Sequence, residues 1–158
     1  MKTQGYPTRT HTQSVKRYCQ TLDLKDDSEL IRAYRSQHGP DRMWREIIDG
    51  IRSVGILEME IYILRNRLFM IVDTPSDFDW DEAMAKLSRL PRQQEWEEVV
   101  AAFQQCSRDA TSDEKWQMME RMFYLYDRYK KGRTTSGNPI RSWQVPSIFT
   151  FHLSPLYK

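Results

Sequence analysis

At 158 residues the chain has the length of one domain, and with 39% hydrophobic and 12% aromatic residues it can bury a core. Charged residues make up 29%, yet the formal net charge is only +2, without the clearly basic balance of a nucleic-acid binder. No window nears the roughly 20 apolar residues of a membrane helix. The two cysteines, Cys19 and Cys106, are too few for a disulfide framework and stand in no CxxC spacing. These features lead us to expect a protein of the reduced cytoplasm, with neither nucleic acid nor membrane as its partner.

Composition divides the chain into three parts. Residues 1–15, "MKTQGYPTRTHTQSV", are polar, lack the apolar run of a signal peptide, and are expected to form a disordered leader. Residues 16–125 carry nearly all the aliphatic periodicity and are expected to be the folded domain. Residues 126–158 lose that periodicity and gain Gly, Pro and Ser, so they form a C-terminal tail whose structure the sequence leaves open.

Within the domain, "RYCQTLDL" (17–24) alternates and predicts a strand. Asp27 or Ser28 can cap the helix that follows, with Leu30, Ile31 and Tyr34 on one face and Gly39-Pro40 as its stop. "MWREIIDGIRSVG" (43–55) predicts a second helix, closed by Gly55. "ILEMEIYIL" and "LFMIVDT" are apolar runs joined by the polar turn "RNR", the pattern of a β-hairpin. Helices are expected over 77–90 and 92–106, the latter with Trp96, Val99, Val100 and Phe103 on one face. The segment 114–126, "EKWQMMERMFYLY", fits helix or strand. Its aromatic content, and the need for a closing strand, favour a strand. The order β-α-β-β-α-β is that of a ferredoxin-like split βαβ unit, an α+β fold with an antiparallel sheet. The strands look apolar on both sides, so a second subunit is the simplest cover for the sheet face away from the helices.

Candidate chemistry is sparse. His11, His38 and His152 are scattered, with no second ligand one helix turn away, so no metal site is expected. No glycine-rich phosphate loop occurs, and Cys19 lies within a strand, where a buried inert thiol is expected. Acid–base chemistry remains. Tyr34 and His38 stand at i and i+4, on one helix face, and a histidine can exchange a proton near neutral pH. Spacing alone favours the plainer alternative, a C-terminal histidine facing the helix dipole beside a half-buried tyrosine. Trp80 and Trp116 fit a core. Trp96, between Glu95 and Glu97, fits a core or the wall of a sugar cleft equally.

The stretches "RYCQTLDLKDD", "GILEMEIYILRNRLFMIVDTPSDFDWDEAM", "LPRQQEWEEVVAAFQ" and "EKWQMMERMF", in that order, resemble the L-rhamnose mutarotase family over residues 16–125. The resemblance implies a dimeric α/β barrel of ferredoxin-like protomers. It implies a cofactor-free isomerase, and hence a homodimer acting on a small sugar, interconverting the α and β anomers of L-rhamnose or a related 6-deoxy sugar. It places the family's catalytic histidine on His38. The substrate-contacting tyrosine falls on Tyr34, and the substrate-contacting tryptophan on Trp96. Met59 stands where the best-known members have a sugar-contacting tyrosine, Glu95 replaces the first of a tryptophan pair, and Trp44 follows His38 by six residues rather than four. These departures keep a second reading alongside the first: a non-catalytic sugar-binding or structural dimer on the same fold.

Overall fold

The computed structural model describes residues 4–106 and 112–126. The chain divides into two units, 1–122 and 123–158; the fold and the cavity described below belong to the first. The residues of the expected tail beyond 126 lie outside the described part.

The element order is β1 (Val15–Asp23), α1 (Ser28–Gln37), α2 (Arg45–Ser53), β2 (Glu58–Leu64), β3 (Arg67–Pro75), α3 (Trp80–Leu87), α4 (Gln93–Ala101), a single helical turn α5 (Ser112–Lys115), and β4 (Gln117–Met118). The four strands form one antiparallel sheet in the order β2-β3-β1-β4. This is the ferredoxin-like α+β arrangement of the dimeric α/β-barrel class. The strand β1 therefore lies inside the sheet, between β3 and β4, although it comes first in the chain.

Period-two alternation decides which side chains meet the helices. Along β1, Gln20 and Leu22 are buried on the helical face, and Leu24 just beyond it is buried too. They are flanked by Leu68, Met70 and Val72 of β3. Two apolar clusters fill the space between sheet and helices. One joins Leu22, Leu24 and Leu68 to Tyr34, Ile47, Trp96 and Val100. The other joins Met70 and Val72 to Ile56, with Trp80 and Met84 packed against it.

Local signals place the helices. Asp27 caps α1: its carboxylate accepts from the backbone N–H groups of Glu29 at 2.8 Å and Leu30 at 3.0 Å. Asp79 caps α3 through Glu82 N at 3.0 Å. Gly55, just past α2, has φ +98°, a conformation that an L side chain would strain.

Several sequence expectations are corrected. The hairpin turn is two residues, Arg65 and Asn66, since Leu64 pairs with Arg67. Arg65 takes φ 58° to close it. The helix expected over 92–106 ends at Ala101. From there the chain turns to bridge Gln104 with Leu24, and Gln105 N donates to Asp23 O at 2.8 Å, so pairing with the end of β1 replaces the last helical turn.

The strand expected over 114–126 is two residues long. Lys115 closes a helical turn, and β4 pairs Gln117 and Met118 with Thr21 and Gln20. Alternation alone does not make a strand. It must find a backbone edge, and here only residues near the start of this segment, Gln117 to Met119, meet β1.

The sheet face away from the helices is also more polar than expected. Arg17 holds Asp73 through two bonds of 2.7 Å, and Arg67 holds Asp23 at 2.7 and 2.8 Å. Half-buried Cys19, Phe69 and Ile71 form the apolar centre of that face. Residues 4–14, from the expected leader, form neither helix nor strand. Tyr6 nevertheless sits edge-on to Tyr62 of β2, ring centroids 5.9 Å apart.

Candidate active site

A cavity of about 640 Å³ opens between the helical face of the sheet and α1 to α4, within the size range of small-molecule sites. Tyr34, His38, Trp96 and Met59 all line it. The tertiary fold thus gathers residues from α1, α4 and β2 that lie up to 62 positions apart in the chain, from Tyr34 to Trp96.

The placement of His38 follows from how α1 ends. The helix α1 ends at Gln37, and His38 is the C-cap, with φ −89° and ψ 4°, its backbone N–H still donating to Tyr34 O at 3.3 Å. Gly39 N donates to Ser36 O at 3.1 Å, and Arg42 N and Met43 N both donate to Gly39 O at 3.0 Å, so "GPDR" folds into a compact turn. A Cβ at Gly39 would stand 3.1 Å from Ser36 O, which makes the glycine fit closely. The turn ends α1 and leaves the imidazole half-buried on the cavity wall.

The imidazole is held on three sides. Its Nδ1 lies 3.0 Å from Tyr34 O. A carbonyl only accepts, so Nδ1 carries the hydrogen and Nε2 keeps the lone pair. The Tyr34 ring lies 4.3 Å from the His38 ring, tilted by 37°, and the Trp96 ring meets it edge-on at 5.3 Å. Burial holds the His38 pKa below the ordinary histidine value, and the bond to Tyr34 O opposes part of that shift. Tyr34 is pushed the other way, well above the ordinary tyrosine value, first by burial and then by the negative charge of Glu97. At neutral pH the pair is therefore a neutral imidazole with one free lone pair beside a fully protonated phenol.

Trp96 is fixed from behind. The Trp44 ring stands 5.5 Å from it at 64°, and the Arg92 guanidinium lies 3.8 Å over the Trp44 ring. Arg92 is itself tied to Glu46 at 3.2 Å and to Glu95 at 3.4 Å. Glu95 thus anchors this support from the surface and does not face the cavity. Trp44 supports Trp96 and is not part of the lining.

Met59 faces the cavity from β2. Tyr62, three residues on, points to the opposite sheet face and donates to Glu60 at 2.7 Å, so it does not replace Met59. Trp80 and Trp116, expected as core, pack against the apolar clusters and also wall the cavity.

Spacing did not single out a polar group that the fold brings to the same cavity. Gln20, Gln93, Glu97 and Gln104 line it, three of them buried glutamines. One signal for Gln93 and Glu97 was available: with Trp96 and Val100 they form an i, i+3, i+4, i+7 stripe. Gln20 and Gln104 carried none, because their placement depends on strand pairing.

The sequence comparisons identify the family. A model of the L-rhamnose mutarotase family matches residues 17–125. The chain belongs to the L-rhamnose mutarotase family. An L-fucose mutarotase of Xanthomonas campestris pv. campestris is 35% identical over 112 residues, 71% of this chain and 90% of that protein. A UPF0734 protein of Dictyostelium discoideum is 34% identical over 113 residues, 71% of this chain and 89% of that protein. The crystal structure of an L-rhamnose mutarotase from Formosa agariphila shares the fold, with TM-score 0.50 and 21% identity, over 70% of this chain and 98% of that one. As a member of the mutarotase family the chain is an isomerase, an enzyme that interconverts sugar anomers. No helix among the described residues is long and apolar enough to cross a membrane.

Proposed function

We propose that this mutarotase interconverts the α and β anomers of L-rhamnose or a related 6-deoxy sugar, with His38 as its acid/base group. The observation that carries the reading is the fixed tautomer of His38. Nδ1–H is committed to Tyr34 O, so the second nitrogen is a base in the cavity wall.

The reaction asks for two proton movements. The anomeric hydroxyl gives its proton to Nε2 of His38 as the C1–O1 bond becomes a carbonyl and the C1–O5 bond breaks. The ring oxygen O5 takes a proton from the Tyr34 hydroxyl, and the imidazolium returns one to Tyr34. Because Tyr34 is a very weak acid here, its proton leaves and is replaced in one concerted motion. Rotation about C1–C2 and the reverse sequence close the other anomer. Positioned proton transfer of this kind contributes about 10²–10⁴ in rate. Met59, Ile61, Met70 and Trp80 give the cavity an apolar portion suited to the methyl of a 6-deoxy sugar, and Trp96 offers a ring to an apolar sugar face.

Two further parts of the reading concern the protein as a whole. We expect a homodimer, formed on the outer sheet face around Cys19, Phe69 and Ile71, and residence in the cytoplasm with no nucleic-acid or membrane partner. Sedimentation equilibrium tests the first point, and a monomer at micromolar concentration refutes it.

The decisive experiment is anomer exchange followed by saturation-transfer NMR across 6-deoxy and ordinary hexoses. The parent protein is expected to exchange a 6-deoxy sugar fastest, and His38→Ala to lose most of that rate. An unchanged rate in His38→Ala removes the histidine from the mechanism. The second reading, a non-catalytic sugar binder, is favoured by Met59 in place of a polar contact. It predicts calorimetric binding of L-rhamnose or L-fucose with no exchange above the spontaneous rate.

A further inference from the structure

The sheet forms the floor of the cavity, and the part of it that lines the cavity is apolar except at one residue. Of the four strand residues in the lining, Met59 and Ile61 come from β2, Met70 from β3 and Gln20 from β1. Ile61 pairs with Met70, and Met70 pairs with Gln20, so these three make one row across the sheet. The rows on either side are Met59, Val72 and Tyr18, and Ile63, Leu68 and Leu22. Paired residues share a sheet face. Gln20 is therefore an amide in the middle of an aliphatic and aromatic surface.

Gln20 is only 3% exposed. An amide taken from water into apolar surroundings costs free energy unless its groups are bonded. One bond is made: Nε2 donates to the backbone oxygen of Trp116 at 3.3 Å. A carbonyl only accepts, so this bond fixes which end of the amide is the nitrogen. The carbonyl is delivered by β4, whose first two residues, Gln117 and Met118, pair with Thr21 and Gln20. The amide is thus held by its nitrogen. Its Oε1 accepts no bond from the described residues and is not sealed from solvent, and the space that Gln20 borders is the cavity. An acceptor set in an apolar floor discriminates well. A hydroxyl that meets it is bonded, while an apolar group that meets it strands it.

We propose that Gln20 is a specificity-determining residue, whose Oε1 accepts a hydrogen bond from one hydroxyl on the sugar face turned toward the sheet. This inference rests on the mutarotase reading and deepens it by naming what the floor recognises. Tyr34, His38 and Trp96 reach the cavity from α1 and α4, and Gln20 reaches it from the sheet. Around Gln20 the floor takes C–H surface or a methyl group. A sugar with hydrogen over Gln20, or with that hydroxyl in the other configuration, leaves Oε1 unbonded. The residue therefore selects among stereoisomers whose apolar surfaces are alike.

The test is a cycle of variant against sugar on the full chain. Gln20→Met removes the amide and keeps most of its length beside Met70. The probes are the hexose that the parent exchanges fastest and its monodeoxy analogues. The variant is expected to raise KM for the parent sugar about three- to ten-fold, the cost of one neutral hydrogen bond, with a much smaller change in kcat. For one monodeoxy analogue, parent and variant are expected to show the same KM. An unchanged KM for the parent sugar overturns the proposal. So does an increase of equal size for every analogue, which marks Gln20 as a prop for Trp116 alone. If Gln20→Met fails to fold, the side-chain amide signal of Gln20 in the parent decides by NMR. It is expected to shift when the parent sugar is added and to stay in place with one monodeoxy analogue; no shift with the parent sugar overturns the proposal. If the parent exchanges no hexose, the mutarotase reading fails separately, and the same amide titration with L-rhamnose and L-fucose still decides whether Gln20 reads a hydroxyl.

Discussion

Replacing Trp96 by alanine probes the site and the core together. Trp96 is 6% exposed and belongs to the main apolar cluster. Its ring meets His38 at 5.3 Å and Trp44 at 5.5 Å. Truncating a buried tryptophan costs about 3–5 kcal/mol. The upper end applies where a sealed void is left. Trp96 already borders an open cavity of about 640 Å³, so water can fill the space, and the lower end, about 3 kcal/mol, is expected. For a domain of this size, about 4 °C are lost per kcal/mol, so the melting temperature should fall by about 12 °C. Trp96→Phe keeps a ring against His38 and is expected to cost about 1–2 kcal/mol. Circular dichroism melts and urea titrations measure both. Anomer exchange, measured well below each melting point, should fall further in Trp96→Ala than in Trp96→Phe, because only the phenylalanine keeps His38 braced. A stability loss below about 1 kcal/mol in Trp96→Ala would refute the packing described, and equal exchange rates in the two variants would refute the bracing role.

Other perturbations have equally definite signs. Because burial depresses the His38 pKa, the imidazole should stay basic below pH 6.5, the ordinary value. The exchange rate should therefore fall only as pH drops through the depressed value; a half-maximal rate at or above pH 6.5 contradicts this. The same depression penalises the folded state in acid. Below pH 6.5 the unfolded chain takes a proton that folded His38 refuses, so His38→Ala should flatten the loss of melting temperature between pH 6.5 and 5. Asp73 is held below the usual carboxylate range, chiefly by its bonds to Arg17. Its stabilising contribution is complete above about pH 4 and lost as pH falls through the lowered value. Asp73→Asn should then be more destabilising at pH 6 than at pH 2.5, which paired thermal melts can check. Asp27→Ala removes the α1 cap, with its two bonds at 2.8 and 3.0 Å, at about 1 kcal/mol. A urea midpoint unchanged from the parent would deny that cap any role.

The elements were legible where local chemistry was decisive. Asp27, Gly39-Pro40 and Gly55 mark helix ends through side-chain caps and backbone geometry, and those effects act within a few residues. The alternation of 17–24, 56–64 and 68–74 placed three strands, because a half-buried strand must alternate. The segment 114–126 misled, because alternation reports a tendency and pairing reports a partner. Only Gln117 and Met118 pair with β1 as a strand, with Met119 N adding one bond to Cys19 O at 2.8 Å.

The site divides in the same way. The i, i+4 spacing of Tyr34 and His38 is a property of the helix and needs no fold to be seen, so the sequence by itself brought that pair together. Whether the pair faced anything was decided by the turn after Gln37 and by Trp96 arriving from α4. Folding also shifted the two pKa values, since the burial that moves both groups exists only once the core has closed. Lys115 and Glu97 lie 18 positions apart and signal nothing to each other in the sequence. They come within 3.9 Å because the pairing of β4 with β1 sets where the preceding turn, α5, places Lys115. Short-range order was thus written in residue types and their spacing, while that pair depends on long-range pairing that no local pattern encodes.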